Sequence, residues 1–306
     1  VTDAPYLGDG PETGRAGWLT ARDGIRLRAV FWPLDGARGT VFLLPGRTEH
    51  AEKYGPTAAR LAQAGFASTA IDWRGQGLSQ RLLPDARKGH VGRFSDYQAD
   101  LDIWLEAARD LPKPWFLLAH SMGGAIGLRA LIRGLPFAAA AFSAPMWGIL
   151  VPGRQQRLFA ALTGTASRLG LRNAYAPPPA TGPVCYVEVA PFAGNLLTTD
   201  ASVWDWMQGQ VRRTPELCIA GPTNGWLAEG LRECVTLARL PSPAVPVVTA
   251  VGTDERIVDT AAIGDRMRRW PGGQLVTISS AQHEILMAPP AQRDQFLTPV
   301  ITLFSR

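Results

Sequence analysis

The sequence predicts an α/β protein built on a doubly wound, mostly parallel sheet of about eight strands, flanked by helices and carrying one long insertion. Three observations predict this. Apolar, β-branched runs recur along the chain with helical segments between them. Six of those runs are near-continuous, the pattern of strands covered on both faces. Residues 146 to 222 break the rhythm with proline clusters and no clean alternation of strand and helix.

In chain order, GWLTARDG followed by IRLRAVFWP reads as a hairpin with Asp23-Gly24 at its turn. The six apolar runs are TVFLLPG (40–46), FASTAID (66–72), PWFLLAH (114–120), AAAAFSAP (138–145), VPVVTAVG (245–252) and QLVTISS (274–280). The helix SDYQADLDIWLEAARD opens with Ser95 and Gln98 at capping-box spacing, and Leu101, Trp104, Leu105 and Ala108 form one apolar face. MGGAIGLRALIRG (122–134), TNGWLAEGLRECVTLARL (223–240), TAAIGDRMRRW (260–270) and PAQRDQFLTPVITLF (290–304) are the other helices. The insertion is too long for a structureless loop, since loops beyond roughly 15 residues are uncommon. It reads as a cap, 146–222, over one end of a core made of 1–145 and 223–306.

Composition narrows the function classes. With 46% hydrophobic and 19% charged residues in 306, the chain can bury a large core. The net charge of +5 comes from 28 arginines and three lysines that are scattered rather than clustered, which argues against a nucleic-acid partner. A mildly basic surface is compatible with peripheral contact with an anionic membrane. Cys185, Cys218 and Cys234 have no CxxC spacing and read as reduced thiols of a cytoplasmic protein. There is no HExxH and no cysteine-histidine cluster, so neither metal nor cofactor is expected. VTDAPYLGDGPETGRAG has no apolar core of the signal-peptide kind, and no apolar run reaches about 18 residues.

The stretch LLAHSMGGA carries the chemistry. A nucleophile elbow needs a strand, a sharp turn and a helix, with small residues on both sides of the turn. WFLLA-HSM-GGAIGLRAL supplies all three around Ser121, with Ala119 and Gly123 as the small residues. A serine nucleophile needs a base and the base an orienting acid, and on such a sheet they follow in the order serine, acid, histidine. Of the four histidines, only His283 lies after His120-Ser121, just past the last apolar run. The acid belongs after VPVVTAV, where GTDERIVD offers Asp254, Glu255 and Asp259. An oxyanion hole needs two backbone N–H groups. Met122 supplies one, and the loop after TVFLLPG supplies the other at Arg47.

Taken together these residues resemble the lysophospholipase and monoacylglycerol lipase branch of the α/β-hydrolases. LPGRTEHAEKY (44–54) is similar to the family segment HGxGEHxxRY, with Pro45 and Arg47 as departures. DWRGQGLSQR (72–81) resembles D-x-RGHGxS, AHSMGG resembles GHSMGG, GTDERIVD resembles GTxDxxVD, and AQHEIL resembles AxHEI. The resemblance covers about residues 18 to 290 and implies the α/β-hydrolase fold, with the first two predicted strands antiparallel at one edge. It implies Ser121 as nucleophile, His283 as base, and Arg47 and Met122 as oxyanion donors. The family acid lies four residues before a second aspartate; counting back from Asp259 selects Glu255, with Asp254 as the alternative. Glu49, His50, Asp72 and Arg74 fall on motif positions and read as structural, and His120 points away from the reaction.

The resemblance further implies hydrolysis of carboxylic esters through an acyl-enzyme, on a small amphiphilic monoacyl lipid: a lysophospholipid or a monoacylglycerol. Met146, Trp147, Leu150, Phe159, Trp204, Trp206 and Met207 are the cap residues expected around an acyl pocket. A carboxylesterase acting on short esters is the alternative enzyme, and a non-catalytic binding protein of the same fold is the remote one.

Overall fold

The computed structural model describes residues 2–150, 163–178 and 180–306. Its centre is one sheet of nine strands: β1 (Thr2–Ala4), β2 (Arg15–Thr20), β3 (Arg26–Trp32), β4 (Thr40–Leu44), β5 (Ala67–Asp72), β6 (Trp115–His120), β7 (Phe137–Ser143), β8 (Val247–Gly252) and β9 (Gln274–Ile278). They lie in the order β1-β2-β3-β5-β4-β6-β7-β8-β9. Every pair from β5 to β9 is parallel, and β1, β2 and β3 pair antiparallel at one edge. The hairpin turns at Gly24, whose φ of 84° suits glycine. The strand beyond the expected eight is β1, whose three residues are too few to show alternation.

The near-continuous runs are buried where the sheet covers them. Every residue of β4, β5, β6 and β8 is buried. QLVTISS departs from that pattern, because β9 is the last strand and leaves Gln274, Leu275 and Thr277 exposed. Phe42 of β4 is fully buried, its ring centre 5.0, 5.1 and 5.5 Å from those of Trp104, Trp115 and Phe137.

The helices are α1 (Gly55–Gln63), α2 (Asp96–Ala107), α3 (Met122–Ile132), α4 (Tyr186–Val189), α5 (Ala201–Arg213), α6 (Asn224–Arg239), α7 (Thr260–Arg268) and α8 (Pro290–Phe304). α3 packs between α2 and α6, while α8 lies against β7, β8 and β9. The expected capping box does not form. Ser95 itself has helical angles and caps nothing, and Gln98 is buried, donating its amide to the Ile126 carbonyl at 2.9 Å and so tying α2 to α3. α1 was not foreseen: GPTAARLAQ opens like a turn, although proline suits the first turn of a helix. α5 was also missed, inside the insertion. Asp200 caps it by accepting from the Ser202 and Val203 N–H groups.

Among the described residues, the segment from 146 to 222 adds no strand to the sheet. It touches the core through Leu196 and Leu197, whose carbonyls accept from the His283 and Glu284 N–H groups at 3.4 and 2.9 Å. It is also anchored through the stretch from Ala220 to Thr223, hydrogen-bonded to Arg87 and Gly89. The reduced-thiol reading needs correction: Cys185 and Cys218 form a disulfide, with their Cα atoms 5.9 Å apart, and only Cys234 is free. The odd count concealed one pair and one buried thiol, so the cysteines give no support to a reducing compartment. No helix among the described residues is long and apolar enough to cross a membrane.

A tight joint of the fold lies at Gly123, where α3 meets the end of β4. A Cβ there would lie 2.1 Å from the Leu44 carbonyl oxygen, which is backbone of β4 and cannot turn aside. Gly123→Ala should therefore lower unfolding stability by at least about 1–3 kcal/mol, the usual cost of overpacking. Chemical denaturation measures this, and an unchanged midpoint would refute the close approach.

Candidate active site

β6 delivers Ser121 to the carboxyl end of the sheet, and α3 begins at the next residue. Between them Ser121 adopts φ 49° and ψ −118°, a conformation L-residues rarely hold. The turn is held by the Ser121 N–H donating to the Ser143 carbonyl at 3.1 Å and by the Ser121 carbonyl accepting from Gly124 and Met146, each at 2.8 Å.

His283, on the loop after β9, places Nε2 2.9 Å from Ser121 Oγ. Its Nδ1 lies 2.7 Å from Glu255 Oε2. The other Glu255 oxygen accepts from the Ile257 and Val258 N–H groups at 2.6 and 3.1 Å. Burial by itself would raise the Glu255 carboxyl, but the His283 ring and these two N–H groups outweigh it, and the pKa falls below the ordinary value. Asp254 is exposed, and its carboxylate accepts from the Thr253 hydroxyl at 3.3 Å. The structure thus brings Ser121, His283 and Glu255 together and leaves Asp254 outside.

Among the described residues, the backbone N–H groups of Arg47 and Met122 have no protein acceptor. Thr48, next to Arg47, holds a positive φ of 65° in the position where the family segment has its second glycine. Its backbone N–H donates to Gln76 Oε1 at 3.3 Å, and Gln76 Nε2 donates to the Gly46 carbonyl at 2.7 Å.

A buried ion cluster lies behind these groups. Lys53 Nζ donates to Glu49 Oε1 and to Glu284 Oε1, each at 2.6 Å. Glu49 Oε2 accepts from the Gly46 N–H and, at 2.6 Å, from the Tyr54 hydroxyl. His120 Nε2 lies 3.4 Å from Glu284 Oε2, and its ring centre is 4.7 Å from that of His283. Burial alone would raise the Glu284 carboxyl, yet the Lys53 and His120 charges hold it well below the ordinary value. Burial would lower the His120 pKa, but Glu284 and Glu49 raise it. Glu49, His120 and Glu284 bring possible metal-ligand atoms within 4.8 Å of one another, with the Lys53 ammonium bonded to both carboxylates. The other such group, Cys185, Glu188 and Cys218, has its sulfurs committed to the disulfide.

Ser121 and His283 open into a cavity of about 440 Å³. Its walls include Leu197, Met207, Val211, Ile219 and Trp226, with Arg47 and His50 among the polar lining.

A model of the family described as serine aminopeptidase, S33, matches residues 35–290. The chain belongs to this family. It is a serine ester hydrolase with the α/β-hydrolase fold that its motifs resemble. Lysophospholipase L2 of Escherichia coli (strain K12) is 33% identical over 94% of this chain and 86% of its own length. The probable lysophospholipase L2 of Haemophilus influenzae is 28% identical over 92% of this chain and 90% of its own length. In fold, the hydrolase is similar to a soluble variant of the Saccharomyces cerevisiae monoglyceride lipase in complex with a substrate analog. The TM-score is 0.77 at 17% identity, covering 98% of this chain and 99% of that one.

Of the residues expected around the hydrolase's pocket, Met146, Leu150 and Met207 line the cavity, and Phe159 lies outside the described residues. Three expectations fail. Trp147 turns into the core, where its ring lies 5.1 Å from Phe142 and 6.1 Å from Trp270 and its Nε1 donates to the Gly124 carbonyl. Trp204 is buried against Tyr186, and Trp206 points toward Asp9. Each is an aromatic residue near the site in sequence whose backbone aims it elsewhere. Val211, Leu217 and Ile219 were missed. The spacing of Trp204, Met207 and Val211 is helical, so the α5 face was readable once that segment was recognised as a helix. The motif residues behave as joints: Asp72 accepts from the Ala51 and Leu78 N–H groups, and Arg74 pairs with Asp100 at 2.6 Å.

Two outcomes are expected of the hydrolase. Glu255→Gln should cut kcat by up to roughly 10⁴-fold, as loss of an orienting acid does elsewhere, while Asp254→Asn costs far less. Steady-state kinetics of the two variants decide this, and the reverse order would assign the acid to Asp254. Separately, burial lowers the His50 pKa from 6.5 to about 4. Between those values the unfolded chain binds a proton that the folded chain refuses, so this group makes stability fall as pH falls through the window. Its contribution is roughly 3 kcal/mol. His50→Gln should flatten the decline of unfolding free energy between about pH 6.5 and 4, and an unaltered slope would contradict it.

Proposed function

We propose that the hydrolase cleaves monoacyl lipids, a lysophospholipid or a monoacylglycerol, through an acyl-enzyme formed on Ser121. The observation that carries this reading is the mostly apolar cavity that opens onto Ser121 Oγ and His283 Nε2. One acyl chain fits its walls of leucine, methionine, valine and isoleucine. The names of the relatives similar over most of the chain, both lysophospholipase L2, support the same substrate class.

Ser121 Oγ attacks the ester carbonyl as His283 takes its proton. Glu255 fixes the His283 tautomer and answers the charge that forms on the ring. The carbonyl oxygen, now an oxyanion, is received by the N–H groups of Arg47 and Met122. His283 then protonates the leaving alcohol. Water enters, loses a proton to His283 and releases the fatty acid.

In this reading residues 146–222 are a cap that walls the acyl pocket. Leu169, Leu171, Val184, Val189 and Phe192 are all exposed on that segment. So many apolar side chains on one segment support peripheral contact with a lipid surface.

Ser121→Ala should reduce ester hydrolysis by on the order of 10⁴-fold or more with the fold intact, since only binding and oxyanion stabilisation remain. Near-normal turnover would overturn the nucleophile assignment. Ile219→Trp fills the cavity, so kcat/KM for a long-chain monoacyl ester should fall about ten-fold more than for an acetate ester. Equal losses would instead favour a carboxylesterase acting on short esters.

A further inference from the structure

Of the three most completely buried arginines among the described residues, two have their charges answered by carboxylates and the third, Arg266, has its donors filled by neutral acceptors. Arg28 pairs with Asp72 and Glu52, and Arg74 with Asp100 and Asp23. Arg266 donates to the carbonyls of Leu237 and Leu240 and to the Ser242 hydroxyl. Arg47 differs. Its guanidinium lies over the Trp226 ring at 5.4 Å, and its one hydrogen bond among the described residues runs from Nη1 to the Ala220 carbonyl at 3.0 Å. No carboxylate of the described residues pairs with it, and residues 151–162 contain no Asp or Glu. Burial lowers its pKa to about 10, and the one titratable group felt nearby is the Tyr97 phenol, itself raised by burial. The group therefore stays cationic at neutral pH.

A guanidinium has five N–H donors, and leaving it half-buried in an apolar wall without a counter-charge is unfavourable. This one lines the same cavity as Ser121. The other charges there do not answer it, because Lys53, Glu49 and Glu284 are occupied with one another. Exposed Arg256 adds a second positive charge to the lining and makes no ion pair among the described residues.

We propose that Arg47 reads the phosphodiester of the substrate's head group, and so makes a lysophospholipid preferred over a neutral monoacylglycerol. This rests on the monoacyl-lipid reading above. With the carbonyl oxygen at the Arg47 backbone N–H, the phosphate lies a few bonds further along the glycerol, on the leaving-alcohol side, while the acyl chain runs to the apolar walls. One residue thus serves both ends of the polar group: its backbone the oxyanion, its side chain the phosphate. The planar fork matches phosphate oxygens, which an ammonium meets only as a point charge.

The test is binding to the full-length Ser121→Ala protein, by calorimetry, below the lipids' aggregation concentration. Two uncleavable ether lipids with the same alkyl chain are compared, a 1-O-alkyl-glycerophosphoethanolamine and a 1-O-alkylglycerol. The phosphodiester should bind more tightly, and added salt should shrink the difference. Adding Arg47→Gln should weaken phosphodiester binding about 30-fold relative to the alkylglycerol, with partial recovery in Arg47→Lys. The ratio is the readout, so a loss common to both lipids, from a disturbed loop, does not enter it. Binding of both lipids with a ratio unchanged by Arg47→Gln or by salt overturns the head-group role alone. Inorganic phosphate displacing the ether phosphodiester at similar concentration also overturns it, by making this a free-anion site. Failure of both ether lipids to bind overturns the monoacyl-lipid reading, and the head-group role with it.

Discussion

The turn at Ser121 is the constraint on which the rest of the site depends. An L-residue at φ 49° is strained, and it persists only where its surroundings fix it. Here β6 lies between β4 and β7, Gly123 lets α3 approach the end of β4, and three backbone hydrogen bonds hold the turn. The result brings Oγ within 2.9 Å of His283 Nε2 and leaves the Met122 N–H without an acceptor among the described residues. A relaxed serine in either neighbouring element would have neither property.

The loops that meet this turn are joined from behind by charge. Gly46 precedes Arg47, His120 precedes Ser121, and Glu284 follows His283. Glu49, Lys53, His120 and Glu284 connect these three neighbours in one buried cluster. Burying charges is unfavourable unless each is paired, and removing one partner strands the others. Such a cluster therefore resists independent movement of the three loops. His120, though turned away from Ser121 Oγ, belongs to the site through this framework.

Much of this was legible in the sequence because it is local. Strand, small residue, serine, small residue and helix stand within one short stretch. His283 was the one histidine after Ser121, so chain order alone selected it. Glu255 needed the family register, since Asp254 and Glu255 are neighbours on one loop and only the fold decides which faces His283. What escaped was non-local or locally disguised. Lys53 and Glu284 are 231 positions apart. The Cys185–Cys218 bond joins two parts of the insertion that no spacing rule connects. α1 begins with Gly55-Pro56, which reads as a turn, and α5 lies among prolines and loops. The directions of Trp147 and Trp204 follow from backbone angles that hydrophobicity does not report.

In the proposed mechanism this arrangement raises Ser121 alone to a nucleophile. The most direct measurement of this is the reaction of the folded protein with a fluorophosphonate probe, followed by intact mass and peptide mapping. A single adduct is expected, on Ser121, that disappears when the protein is unfolded before the probe is added. No adduct on the folded protein, or an adduct on another serine, would contradict it.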